Sequence, residues 1–149
     1  MDDEMWARRA VPDPGTSPPP FWTGAPSGSA QLTAQRGQLR AAVDGADGAS
    51  GADVDRLLLA FEELGSNGLR HGQPPIRISV VTTGTGWVLD VSDGAVERPP
   101  SPAVDRDPAE GGLGLYLIAR LACGHGWDVH DGRKHVWACI EFGTEDAAS

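Results

Sequence analysis

The chain is poor in cysteine, in basic residues and in long apolar runs, and each shortage closes off a class of protein. Its 149 residues include only two cysteines, Cys123 and Cys139. Two cannot build a disulfide framework, and their separation lacks the Cys-x-x-Cys spacing of a zinc site. They read as small core residues in a reducing compartment. Lys and Arg number 12 against 21 Asp and Glu, a formal net charge of -9. A field of that sign repels phosphate backbones and anionic lipid, which argues against a direct nucleic-acid or membrane module. No stretch approaches the ~20 apolar residues that a spanning helix requires. The opening Met1-Asp2-Asp3-Glu4 lacks the cationic-then-apolar order of a secretory leader. There is no internal repeat, and no Gly-x-Ser-x-Gly elbow of a hydrolase. What is present has a globular balance, 40% hydrophobic and 22% charged. The expectation is one cytoplasmic domain.

Proline and glycine divide the chain. Residues 1–28 carry Pro12-Asp13-Pro14-Gly15 and Pro18-Pro19-Pro20, which continue neither a helix nor a central strand. They read as a flexible arm, although Trp6, Phe21 and Trp22 are unusual in an inert linker: some of them suit docking on the domain or a partner, and Phe21 and Trp22 more readily suit covering the edge of the core. Residues 29–143 read as the folded domain, and 144–149 as a frayed tail. A first helix is expected over 29–44, with Leu32, Leu39 and Val43 near one face. A second runs from about Asp53 to Arg70, where Leu57, Phe61, Leu64 and Gly68 make one stripe at steps of four, three and four. Pro74-Pro75 stops it. Two alternating strands follow, Ile76–Thr82 and Trp87–Val91, joined through Thr83-Gly84-Thr85-Gly86. The polar stretch 94–111 reads as a lid or binding loop. A third helix begins near Gly112. Strands Trp127–His130 and His135–Phe142, with Asp131-Gly132 as their turn, close the domain. His125, His130 and His135 recur at steps of five, which on strands alternates faces and does not gather a metal site.

Three segments carry chemistry. Glu63, Asn67 and His71 are spaced by four and share one face of the second helix. An Asn carbonyl oxygen suits Mg²⁺, and a carboxylate one turn earlier suits a general base. Taken alone, the same stripe is more often an ordinary solvated face. Asp93 and Gly94 end a strand, where a carboxylate can accept from an exocyclic amine such as that of adenine, though Asp-Gly is also an ordinary turn. Gly111-Gly112-Leu113-Gly114-Leu115 opens the third helix, where backbone amides can approach phosphate oxygens; a flexible hinge has the same composition.

In this order the three segments resemble the nucleotide-binding boxes of the GHKL ATPase superfamily. More closely, the chain resembles the small bacterial anti-sigma-factor serine/threonine kinases. Phe61 to Gly72 follows a Glu-x-x-x-Asn-x-x-x-His-Gly pattern, Val91-Ser92-Asp93-Gly94 the adenine box, and Gly112-Leu113-Gly114-Leu115 the glycine box. Gly132-Arg133-Lys134-His135-Val136-Trp137 is similar to the family's closing Gly-Lys-Thr-Val-Trp. The resemblance covers about residues 30–142. It implies an α+β, two-layer α/β sandwich of the Bergerat type, with helices on one face of a mixed sheet. It implies ATP and Mg²⁺ as cofactors, with Glu63 as general base and Asn67 as metal ligand. Asp93 and Gly94 would hold the adenine. His71, Gly112, Leu113, Gly114 and Leu115 complete the nucleotide-binding set. The implied partners are a sigma factor and a STAS-domain antagonist phosphorylated on serine, and homodimers are common in the family.

The chain departs from the pattern at Gly65, Ser66 and Gly68, at Ala95 in the adenine box, and near His135, where a Thr is absent. These departures motivate a second reading: a catalytically weak or inactive module of the same fold that regulates by sequestering its partner.

Overall fold

Residues Ser50 to Asp53 start the longest helix by satisfying its orphan donors reciprocally. The Asp53 N–H donates to Ser50 Oγ at 3.1 Å, and the Ser50 N–H donates to the Asp53 carboxylate at 2.7 Å, a capping box. The computed structural model describes residues 6–12, 20–44, 48–97 and 113–143. Their elements run β1 (Trp22–Gly24), α1 (Ser29–Val43), α2 (Gly51–His71), β2 (Arg77–Thr82), β3 (Gly86–Asp93), α3 (Leu113–Leu121), β4 (Gly124–His130) and β5 (Arg133–Glu141).

The strands form one sheet in the order β1-β2-β3-β5-β4, and α2 packs against the sheet and against both other helices, which also touch the sheet. This is the expected two-layer α/β sandwich. The expected mixed sheet is corrected for the named strands, whose pairs among the described residues are all antiparallel; the one parallel pairing is an isolated bridge of Arg8 with Trp127. Tight hairpins join β2 to β3 and β4 to β5, and hairpin partners must run antiparallel. Asp131 and Gly132, in the second hairpin, both adopt positive φ, 53° and 74°. That is what a two-residue turn matching the strand twist requires.

The stripe on α2 is the centre of the core: Leu57, Phe61 and Leu64 are at most 1% exposed. Gly65 and Gly68 interrupt it, and each weakens the helix by ~1 kcal/mol against Ala. The packing explains both. A Cβ at Gly65 would lie 2.7 Å from Leu32 Cδ1 of α1, and one at Gly68 would lie 3.3 Å from Val91 Cγ1 of β3. The glycines admit α1 and the sheet close to α2.

Pleating sorts the sheet residues. Trp87, Leu89 and Val91 of β3 are paired with Ile140, Ala138 and Val136 of β5, and all are buried. The next pair on that row is Asp93 and Lys134, so alternation carries two charged side chains to the end of the core face.

The segment expected as an arm contributes two pieces to the fold, which corrects that reading for its described residues. Trp22 lies in β1 with its ring 5.5 Å from that of Phe61, whereas Phe21 is 43% exposed. Trp6 is 2% exposed, and its Nε1 donates to the Gly126 carbonyl at 2.8 Å. The Arg9 N–H donates to the Trp127 carbonyl at 2.8 Å, so this segment covers the open edge of β4. The cysteines also depart from expectation. Cys123 is exposed and Cys139 half-buried, with the Cys123 N–H donating to the Cys139 carbonyl at 2.9 Å.

Candidate functional site

The four-residue spacing on α2 lays Glu63, Asn67 and His71 along one line whose burial is deepest at its middle residue. Glu63 is half-buried, Asn67 is 7% exposed and His71, the last helical residue, is exposed. About 12 Å of helix separates the first from the last.

Helix α3 meets this line at its upper end. A Cβ on Gly114 would overlap the Glu63 carboxylate. Only glycine lets the first turn of α3 come so close to that side chain. Leu115 is 1% exposed and anchors the turn in the core. Leu113 opens the helix. Gly112 and the 98–111 part of the expected lid lie outside the described residues.

Burial pushes the Glu63 carboxyl above the ordinary glutamate value, the neighbouring Glu62 charge pushes the same way, and Arg70 offsets part of it. A carboxylate with a raised pKa holds a proton more strongly and is a better general base. One turn further on, no hydrogen bond among the described residues engages the Asn67 side-chain amide. A buried amide without a protein partner has its bonding capacity available for a ligand or a metal-bound water.

Asp93 closes the lower end. It is 1% exposed at the last position of β3. Its Oδ1 accepts from the Ala95 N–H at 2.6 Å and the Gln73 N–H at 3.3 Å. Lys134 Nζ lies 3.6 Å from its Oδ2. The chain leaving α2 presses on the same group, since a Cβ at Gly72 would lie 2.6 Å from Asp93 Cγ and Oδ2. Gly72 is therefore required by close approach. Gly94 is not: a Cβ there would meet Gln73 at 3.5 Å, an ordinary contact. The Gly94 N–H instead ties the turn to the Gln73 carbonyl at 2.8 Å.

The structure thus puts Gly114 against Glu63, with Asn67 one turn further along α2, and joins His71 to Asp93 through Gly72 and Gln73. Lys134 and Gly72 carry site contacts that the sequence reading assigned to neither. Counting alternation back from the buried Val136 would have found Lys134. His135, the residue at the missing Thr, lies on the opposite sheet face. Its Nδ1 is 2.9 Å from Asp90 Oδ2, and that hydrogen bond raises its pKa against the opposing effect of burial.

No helix among the described residues is long and apolar enough to cross a membrane. Comparison with curated proteins returns no match. Residues 25–140 match the model of the histidine kinase-like ATPase domain, a span that begins just after β1 and takes in every candidate site residue. That match spans most of the chain, and the chain belongs to the histidine kinase-like ATPase family of the GHKL type.

Proposed function

We propose that the protein is a cytoplasmic anti-sigma regulatory factor with ATP-dependent serine/threonine kinase activity, acting on a serine of a STAS-domain antagonist. The observation that carries the reading is Glu63, its pKa raised by burial, lying against Gly114 one helical turn from the unpartnered amide of Asn67. A base and a metal ligand one helical turn apart are what phosphoryl transfer to a hydroxyl needs, because such catalysis rests on positioning and charge neutralisation.

In this reading Asn67 supplies its carbonyl oxygen to Mg²⁺. Asp93 accepts the amine of the adenine, and the start of α3 faces the phosphates with Gly114 and Leu115. When bound, Mg-ATP supplies the phosphoryl group and the cation that balances its charge. Glu63 would accept the proton of the acceptor serine hydroxyl as that oxygen bonds to the γ-phosphorus and the bond to the departing ADP oxygen breaks. His71, exposed at the helix end, sits where the chain turns towards Asp93. The choice of a STAS-domain substrate and a sigma factor rests on the resemblance of the boxes and of Gly132–Trp137 to the anti-sigma-factor kinases.

The test is transfer of labelled γ-phosphate to a matched STAS-domain protein by wild-type and Glu63→Ala enzyme. Loss of transfer with Mg-ATP binding retained is the expected result. Normal transfer by the variant would remove Glu63 from its role.

One observation favours the second reading, a partner-sequestering module without turnover. Asp93 is already engaged by two backbone N–H groups and by Lys134. Complex formation with the partner, without any phosphorylation of it, is the outcome that reading expects.

A further inference from the structure

Lys134 is almost wholly removed from water. Its side chain is 3% exposed and that of Asp93 2%, with Nζ and Oδ2 3.6 Å apart. Lysine is rarely buried without a compensating charge, because desolvating an ammonium ion is strongly unfavourable. Strand register sets the contact, since Asp93 and Lys134 are direct partners on β3 and β5, on the face that carries the helices.

The two oxygens of Asp93 are not equivalent. Oδ1 accepts both backbone N–H groups, from Ala95 and Gln73. Oδ2 faces Lys134, and at 3.6 Å the contact is an ion pair longer than a hydrogen bond. A carboxylate oxygen has two lone-pair sites, so Oδ2 retains acceptor capacity for a ligand. The Oδ1 bonds fix the carboxylate plane, Gly72 closes one side of Oδ2, and Lys134 balances the charge from across the strand pair.

We infer that Lys134 is a positioning residue for recognition of the purine base: it holds Asp93 Oδ2 where that oxygen accepts the exocyclic 6-amine. This rests on the nucleotide-binding reading above. Acting through Asp93, Lys134 affects nucleotides that carry the amine more than those that lack it.

The experiment is a calorimetric comparison of Mg-ATP with Mg-bound purine riboside triphosphate, which lacks the 6-amine. Wild-type protein, Lys134→Met and Lys134→Arg are each titrated with both. Wild type is expected to prefer ATP about tenfold or more, the worth of one hydrogen bond to a charged group. Lys134→Met is expected to lose about tenfold for ATP and less than about threefold for the analogue, with Lys134→Arg recovering most of the ATP affinity. Because Lys134→Met leaves a buried carboxylate unbalanced, Asp93→Asn and the double variant Asp93→Asn/Lys134→Met are compared as well, in binding and in thermal unfolding without nucleotide. In protein that already carries Asp93→Asn, removing the lysine is expected to leave the ratio of the two nucleotide affinities unchanged, whatever it does to the melting temperature. Equal losses for the two nucleotides in Lys134→Met would overturn the inference, as would unchanged ATP affinity. Tighter ATP binding by that variant would overturn it too, and would make the lysine a competitor of the base. Failure of folded wild-type protein to bind ATP at all would instead overturn the nucleotide reading, and this inference with it.

Discussion

Replacing Gly114 by alanine separates the fold from the chemistry. The added Cβ would overlap the Glu63 carboxylate, and the Glu63 Cγ would lie 2.9 Å away. These atoms belong to the outer part of a flexible side chain, so the clash is relieved by swinging Glu63 to another rotamer. That costs about 0.5–1.5 kcal/mol where the new rotamer is imperfect. Alanine in place of glycine returns up to about 1 kcal/mol of helix propensity to α3. The two nearly cancel, so the melting temperature is expected to move by less than about 5 °C for a domain of this size. The proposed general base, however, is displaced from its position. General-base catalysis contributes about 10²–10⁴-fold, and phosphotransfer is expected to fall by that order. Thermal denaturation and a transfer assay with labelled ATP read the two effects separately. Transfer within about threefold of wild type would refute the reasoning that Gly114 exists to seat Glu63. A collapse of the melting temperature would refute the claim that a side-chain movement relieves the overlap.

Two further predictions concern pH. The Glu63 carboxyl is raised by burial and by Glu62. The acid limb of phosphotransfer is therefore expected above the ordinary glutamate range, and Glu62→Gln is expected to move it to lower pH; a limb that stays in place in the pH–rate profile would contradict this. Asp53 is pushed up by burial, but more strongly down by hydrogen bonds from Ser50 and the Gly143 N–H and by Arg56, with a net lowering from 3.8. A depressed carboxylate contributes stability that is present above its unfolded value and lost as pH falls through its folded one. Acid titration by circular dichroism is thus expected to show a loss of stability beginning below about pH 4 that is absent in Asp53→Asn.

Much of the site was readable from local spacing. Steps of four on α2 put Glu63 and Asn67 on one line, and the turn after β3 marked Asp93, because each depends only on one element. The two hairpins were readable from their turns, but what joins elements distant in the chain was not. The pairing of β3 with β5 and the contact of Asp93 with Lys134 are set by register between distant strands, which no local period encodes. Trp6 and Trp22 were hidden for a related reason. Their neighbours are rich in proline and glycine, which marks irregular backbone but does not say where the backbone lies. The two helical glycines were the reverse case: unfavourable locally, they make sense only against Leu32 and Val91.

The central claim is that α2, β3 and α3 form a working Mg-ATP site. Calorimetry of Mg-ATP binding to wild type and Asn67→Ala tests it most directly. The account predicts magnesium-dependent binding by the wild type and its loss in a variant that melts normally. Undetectable binding by folded wild-type protein, or undiminished magnesium-dependent binding by Asn67→Ala, would contradict it.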